Sequence, residues 1–346
     1  MVVMALAARR WIGIGVILTV ASACDNVGWG GVDYTLVPPS TPAGSDAPAD
    51  APPPGDSTPQ PLELERLLFL VERAGGEARM MPVAQLGSDG LRPLPASMAG
   101  EGFPARLAQE RMSPHSRFTL FHWGERVGTF TAGEEWNLDS SLCLPRPRRS
   151  GRVEILPEAG DAQRFLALEE GTDGSLGRVH PSASTYDQRL GSLNVATSLI
   201  ARLEAPWPPS VLEIRRDLQI VPIRDSSEDW LGLSGTFVYG DGLSTDAPGP
   251  NAYTLFYLAS PQGDGFQARY AWYHRSRAGS KAVPRTLSWI SIPDSEREEW
   301  VLEVFGDGTR WLASISRSGE EWVPGFSDLC AQVPTGRNAA AGSVSE

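Results

Sequence analysis

Tyr253-Thr254-Leu255-Phe256-Tyr257-Leu258, the turn residues Gly263-Asp264-Gly265, and Phe266-Gln267-Ala268-Arg269-Tyr270-Ala271-Trp272 read as two strands and the bend between them. After the turn, Phe266, Ala268, Tyr270 and Trp272 alternate with Gln267 and Arg269, the period of a chain whose side chains point to opposite faces of a sheet. Gly-Asp-Gly between two such runs supplies the positive φ that a tight hairpin needs. The same pattern recurs from Trp300 to the turn Gly306-Asp307-Gly308 and back through Trp311, Ala313 and Ile315. A third hairpin joins residues 117–123 to 126–131 across Gly124-Glu125. Asp-Gly pairs begin at 89, 173, 241, 264 and 307, and further strands are expected over 64–72, 79–86, 152–156, 165–168 and 212–223.

One segment departs from this period. Tyr186, Leu190, Leu193, Thr197, Ile200 and Leu203 recur at spacings of three and four, which predicts an amphipathic helix over 184–203. Ser184 with Asp187 resembles a capping box, and Pro206 with Pro208-Pro209 supplies the stop. A shorter helix fits 104–112. The expected fold class is α+β, predominantly antiparallel β hairpins with one amphipathic helix near 184–203.

The chain opens with Arg9-Arg10, an uncharged and largely apolar stretch from Trp11 to Ala23, and then Cys24. Thirteen helical residues rise about 20 Å, short of the roughly 30 Å hydrocarbon layer, so a processed leader fits better than a permanent span. Ala21-Ser22-Ala23-Cys24 resembles the lipobox of bacterial lipoproteins, although Ala21 stands where that family most often has leucine. The resemblance implies removal of residues 1–23, diacylation of Cys24 and a place in the cell envelope, outside the cytoplasm. Ordinary secretion after the Ala-x-Ala triplet is the competing reading. From Val37 to Pro61 the chain is almost all Pro, Ala, Ser, Thr, Gly and Asp, a composition that buries no core and reads as a disordered tether. The expected organisation is signal peptide 1–23, lipid-anchored linker 24–61, an N-terminal β-rich region with the helix over 62–205, a C-terminal antiparallel β region over 206–333, and a tail over 334–346.

Without the leader, 28 basic and 42 acidic residues leave a net charge of −14. That sign disfavours nucleic acid and anionic lipid surfaces as partners. With Cys24 given to lipid, Cys143 and Cys330 are free to form a disulfide outside the cytoplasm, which the chain-entropy account values at about 4–5 kcal/mol for so long a loop. Two buried thiols are the alternative.

The segment Ile223-Arg224-Asp225-Ser226-Ser227-Glu228-Asp229-Trp230-Leu231 is echoed by Ile292-Pro293-Asp294-Ser295-Glu296-Arg297-Glu298-Glu299-Trp300-Val301. Acidic loop, strand, Gly-rich turn and returning aromatic strand together resemble, over residues 217–326, the blade unit of FG-GAP or VCBS-type repeats. That resemblance implies calcium at Asp225, Glu228 and Asp229, or at Asp294, Glu298 and Glu299. Both copies lack the loop glycines that converge calcium's six to eight oxygen ligands, and a solvated acidic loop is the plainer reading. Two copies are also too few to close a propeller.

Little else in the sequence carries chemistry. His115, His122, His180 and His274 have no zinc spacing. Ser234, in Gly232-Leu233-Ser234-Gly235, misses the nucleophile elbow by one position. Glu134 and Glu135 form one of many acid pairs. The cluster Arg146, Arg148, Arg149 and Arg152 reads as a solvated loop, or as a site for an anionic partner. Trp272, Trp300, Trp311 and Trp322 suit either a core or a sugar-stacking face, and strand placement favours the core. No catalytic residue and no cofactor is assigned. The expectation is a membrane-tethered envelope lipoprotein that binds an envelope protein or glycan as a non-enzymatic module, with a glycan-acting hydrolase as its rival.

Overall fold

The computed structural model describes residue 62 and residues 64–328, apart from 172–175, 178, 209–218, 226–229, 240–250, 277–279, 293–296 and 320. The described residues are mostly antiparallel β, with two α-helices. In chain order the elements are β1 (Arg66–Ala74), β2 (Glu77–Gly87), β3 (Gly90–Arg92), α1 (Phe103–Glu110), β4 (Arg117–His122), β5 (Glu125–Asp139), β6 (Arg146–Ile155), β7 (Arg164–Glu169) and β8 (Val179–Pro181). There follow α2 (Tyr186–Arg202), β9 (Gln219–Asp225), β10 (Trp230–Tyr239), β11 (Tyr253–Gln262), β12 (Gly265–Arg275), β13 (Val283–Ser291), β14 (Glu298–Phe305), β15 (Arg310–Ser318) and β16 (Glu321–Ser327).

The first seven strands, β3 excepted, close into a six-stranded antiparallel barrel in the order β1-β7-β4-β5-β6-β2, with β2 returning to β1 and β3 appended to β2. Closure leaves no free edge among those six strands. Leu67, Phe69, Val71, Met80, Phe118, Leu120 and Phe130 fill the interior. Phe118 lies edge-on to Phe69 at 5.1 Å and to Phe130 at 6.2 Å. From α1, Leu107 joins the same cluster, so the helix stoppers the barrel. The intervening residues of β1, Leu68 and Leu70, point outward into a second cluster with Ile290, Ile292, Val301 and Leu312. Burial on both faces explains why Leu67 to Val71 is continuously apolar instead of alternating.

β9 to β12 form one meander, extended by β8, and β13 to β16 form another. One face of the four-stranded sheet packs on the barrel. Its other face, with Trp289, Trp300, Leu302 and Ile315, packs on Ile223, Phe256 and Leu258 of the five-stranded sheet. The far face of the five-stranded sheet, with Leu233, Phe237, Leu255 and Tyr257, is covered by Val195, Ala196, Leu199 and Ile200 of α2. The layers therefore run barrel, four-stranded sheet, five-stranded sheet, helix. Both copies of the echoed acidic segment connect the first and second strands of a meander, with 226–229 and 293–296 outside the described residues. The likeness continues into the third strands as Tyr257-Leu258-Ala259-Ser260 and Trp311-Leu312-Ala313-Ser314. In each, the leucine points to the barrel side and its neighbours point away. The two meanders thus stack facing the same way.

Several expected details shift. The third hairpin turns at Trp123-Gly124, not at Gly124-Glu125, because His122 pairs with Glu125. Trp123 and Gly124 both hold positive φ, at 53° and 79°, the requirement of a two-residue turn with primed geometry. The expected helix over 184–203 begins one to two residues later. Thr185, not Ser184, is the cap: its hydroxyl accepts from Gln188 N while the Gln188 side chain accepts from Thr185 N. Thr185→Ala is expected to lower unfolding free energy by about 1 kcal/mol in a denaturant melt; an unchanged midpoint would show the cap to be dispensable. The buried stripe of α2 also differs in phase. It runs through Gln188, Ser192, Val195, Ala196, Leu199 and Ile200, while Tyr186 and Leu190 face outward at 68% and 46% exposure. Tyr257 explains the shift: its hydroxyl bonds both the side chain and the carbonyl of Ser192, so a polar residue is drawn onto the buried face.

Candidate functional site

Among the described residues, a cluster of four ionisable side chains lies in the seam between the barrel and the four-stranded sheet. Glu303 sits inside the apolar run Trp300-Val301-Leu302-Glu303-Val304 of β14, on the face turned to the barrel, with its side chain 2% exposed. A carboxylate there demands cations. Arg310 of β15 supplies one at 2.6 Å and Arg164 of β7 another. Arg310 also reaches Glu72 of β1 at 2.9 Å and Ser141 at 3.1 Å. Two arginines and two glutamates from four strands thus form one neutral network. Burial alone would weaken the Arg310 cation, but the Glu72 hydrogen bonds and the charges of Glu72 and Glu303 outweigh it and hold the guanidinium protonated more firmly than usual.

A second pair bolts the end of the described chain to the barrel. Arg146 of β6 is 1% exposed and donates to Asp328 at 2.6 Å and to the carbonyls of Pro82 and Val83 at 3.0 and 3.1 Å. Asp328 accepts in turn from Leu312 N at 3.0 Å. Arg149 is 2% exposed and donates to the carbonyls of Gly133, Glu134 and Ala108. Arg148 pairs with Asp139. The arginine cluster is therefore a strand, not a solvated loop: Arg146, Arg148 and Arg149 are spent on partners within the fold, whereas Arg152 of the same strand is exposed. Burial would push the Asp139 carboxyl up, but hydrogen bonds from Ser141 and the charges of Arg148 and Arg310 bring it below the usual carboxylate range.

Glu298 and Glu299 are consecutive on β14 and point to opposite faces. Glu298 pairs with Arg317 at 2.9 Å, whereas Glu299, 1% exposed, accepts from Ser316 at 2.7 Å and from Leu91 N at 3.5 Å. Its burial raises the carboxyl pKa above the ordinary value, against hydrogen bonds from Ser314, Ser316 and Leu91. Asp225 ends β9, while Glu228, Asp229 and Asp294 lie outside the described residues. Among the described residues, no three His, Cys, Asp or Glu side chains group so as to hold a metal ion. Cys143 is disulfide-bonded; Cys330 and Cys24 lie outside the described residues.

The histidines occupy separate settings with one exception. His115 meets Glu134 at 3.1 Å on the surface, and His274 is buried with its ring against the carbonyl of Ser280. His122 and His180, 58 positions apart in sequence, both approach Glu125, His180 at 4.0 Å. Burial lowers the His122 pKa against the pull of Glu125. Ser234 is buried and bonded to Thr286 at 2.7 Å, no exposed nucleophile. Trp300 and Trp311 are core residues, and Trp272 and Trp322 pack against the same cluster. Trp136 and Trp207 instead stand at the surface, 37% and 59% exposed.

The buried network was invisible as a site in the sequence, yet a signal existed: an acid within an apolar run that is buried on both faces requires a partner. No family model, characterised protein or solved structure matches this chain. Among the described residues no helix is long and apolar enough to cross a membrane.

Proposed function

We propose that this chain is an envelope lipoprotein, held to a membrane by lipid on Cys24, whose folded part binds another envelope protein without catalysing a reaction. One observation carries the binding role: the outward face of α2 presents Tyr186 and Leu190 one turn apart, although polar and small residues take part of the buried stripe. An aromatic and an aliphatic side chain on neighbouring turns form the kind of anchor that protein interfaces use. The seam supports the scaffold part of the proposal, since its charges tie the layers together. The lipobox-like leader and the tether over 37–61 support the anchor. The two meanders, stacked facing the same way, support kinship with FG-GAP or VCBS-type blades.

Two measurements test this reading. Mass spectrometry of the protein from its native membrane is expected to find diacylglyceryl on Cys24, and an unmodified mature terminus would remove the anchor. A photo-cross-linker at Leu190 is expected to trap one discrete protein, with several-fold less adduct after Tyr186→Ser and a stability change within about 0.5 kcal/mol. A pattern matching that of a cross-linker at exposed Glu101 would overturn the binding face.

A second reading, action on or binding to envelope glycan, is favoured by the bulge of β5. There Glu134 and Glu135 are exposed beside half-exposed Trp136, and the pairing register jumps from Ala132 to Trp136. Carboxylates beside a tryptophan suit a sugar ring. Loss of glycan retention on Trp136→Ala, with or without released reducing ends, separates binding from hydrolysis.

A further inference from the structure

We infer that the outward face of α2 takes a second copy of this chain, the two α2 helices lying antiparallel about a two-fold axis; this rests on the binding face proposed above and names its partner. At about 100° per residue, Tyr186, Leu193, Asn194, Thr197 and Ala201 all fall within about 60° of Leu190 on the helix. Leu193 is half-buried and the other five are exposed. None of the six is charged, whereas a helix face left to water ordinarily carries charge. Tyr186, Leu190, Leu193 and Thr197 are spaced by four, three and four, the period of a seam between two helices.

The charges at the two ends of the helix select the partner and its direction. Asp187 in the first turn and Arg202 in the last are both exposed and lie on the same flank of the stripe, and among the described residues neither has an ion-pair partner. They stand about 22 Å apart along the axis, out of each other's reach. In an antiparallel pair centred on Leu193 and Asn194, Asp187 of each copy meets Arg202 of the other, and two ion pairs form. Tyr186 then lies over Ala201 of the second copy and Leu190 over its Thr197, large side chains against small ones. Asn194 faces its own counterpart, and an amide holds both the donor and the acceptor that a reciprocal pair needs. A parallel pair would instead set Asp187 on Asp187 and Arg202 on Arg202, with the helix dipoles aligned. One patch thus complements itself, the requirement of a two-fold contact. A single helix pair is a small contact, and two copies confined to one membrane by the proposed lipid meet at the high effective concentration it requires.

Cross-linking of the full chain in its native membrane tests this. With the photo-cross-linker at Leu190, the adduct is expected to have twice the mass of the chain, joined at the peptide that holds Thr197. Asp187→Arg alone, or Arg202→Asp alone, sets like charges together and is expected to reduce that adduct about tenfold. Co-expression of the two single variants is expected to restore it, because each supplies the charge the other has lost. An adduct that charge reversal leaves unchanged, or that the mixture fails to restore, overturns the antiparallel pair. A discrete adduct of any other mass overturns self-association while leaving the binding face standing, and a pattern matching that from Glu101 removes both.

Discussion

Asp328→Ala is expected to lower the unfolding free energy by about 3–5 kcal/mol, read as a fall in the guanidinium midpoint. Asp328 and Arg146 have side chains 2% and 1% exposed, so neither is screened by solvent. Truncating the acid leaves the Arg146 guanidinium in the seam with two carbonyls and no counter-charge, and it also strips Leu312 N of its acceptor. Replacing both members, as Arg146→Met with Asp328→Leu, is expected to recover most of that loss, because the penalty comes from the stranded charge more than from the absence of attraction. If the double variant were as unstable as the single one, the pair's geometry, and not its charge balance, would be what holds the terminal segment.

Phe118→Ala is expected to cost a similar amount, about 3–5 kcal/mol. Phe118 is fully buried between Phe69 and Phe130 at the centre of the barrel, where its neighbours are fixed by strands that cannot collapse inward without breaking closure. Denaturant melts measure the loss. A small apolar probe such as xenon should bind the variant and not the parent, because a cavity lined by apolar side chains stays dry. Binding of xenon to the parent barrel would contradict the filled interior, and with it the conclusion that this barrel is a core and not a ligand cup.

The hairpins were legible in the sequence because their turns carry their own chemistry: Gly263-Asp264 and Asp307-Gly308 lie where strands reverse in the structure. The closure of six of the first seven strands was not. It depends on the pairings β2 with β6 and β1 with β7, between strands far apart in the chain, and no local pattern records such a partner. The phase of α2 failed for a related reason. Its helical period is real, but Ser192 is drawn inward by Tyr257, 65 positions later, and a window of one helix contains no sign of that tyrosine. The arginines near 146 were misplaced because Pro145 and Pro147 suggested a loop, whereas the strand runs through Pro147 with its two buried guanidinium groups capped by carbonyls. Of the candidate site, the acids Glu298 and Glu299 stood out as charged residues, but only the strand's alternation separates one on a surface pair from one sealed beneath β3.

Two sheets stacked facing the same way expose, at each end, a face that would accept another copy of the unit. A face-to-face sandwich would have no such ends. Here one end is occupied by the barrel and the other by α2, so these two elements act as terminators of an array. The length of the array is thereby a property of its end pieces and not of the repeated unit. A third meander, spliced between β12 and β13, would meet apolar faces of the right kind on both sides, and the molecule could lengthen without redesigning either end.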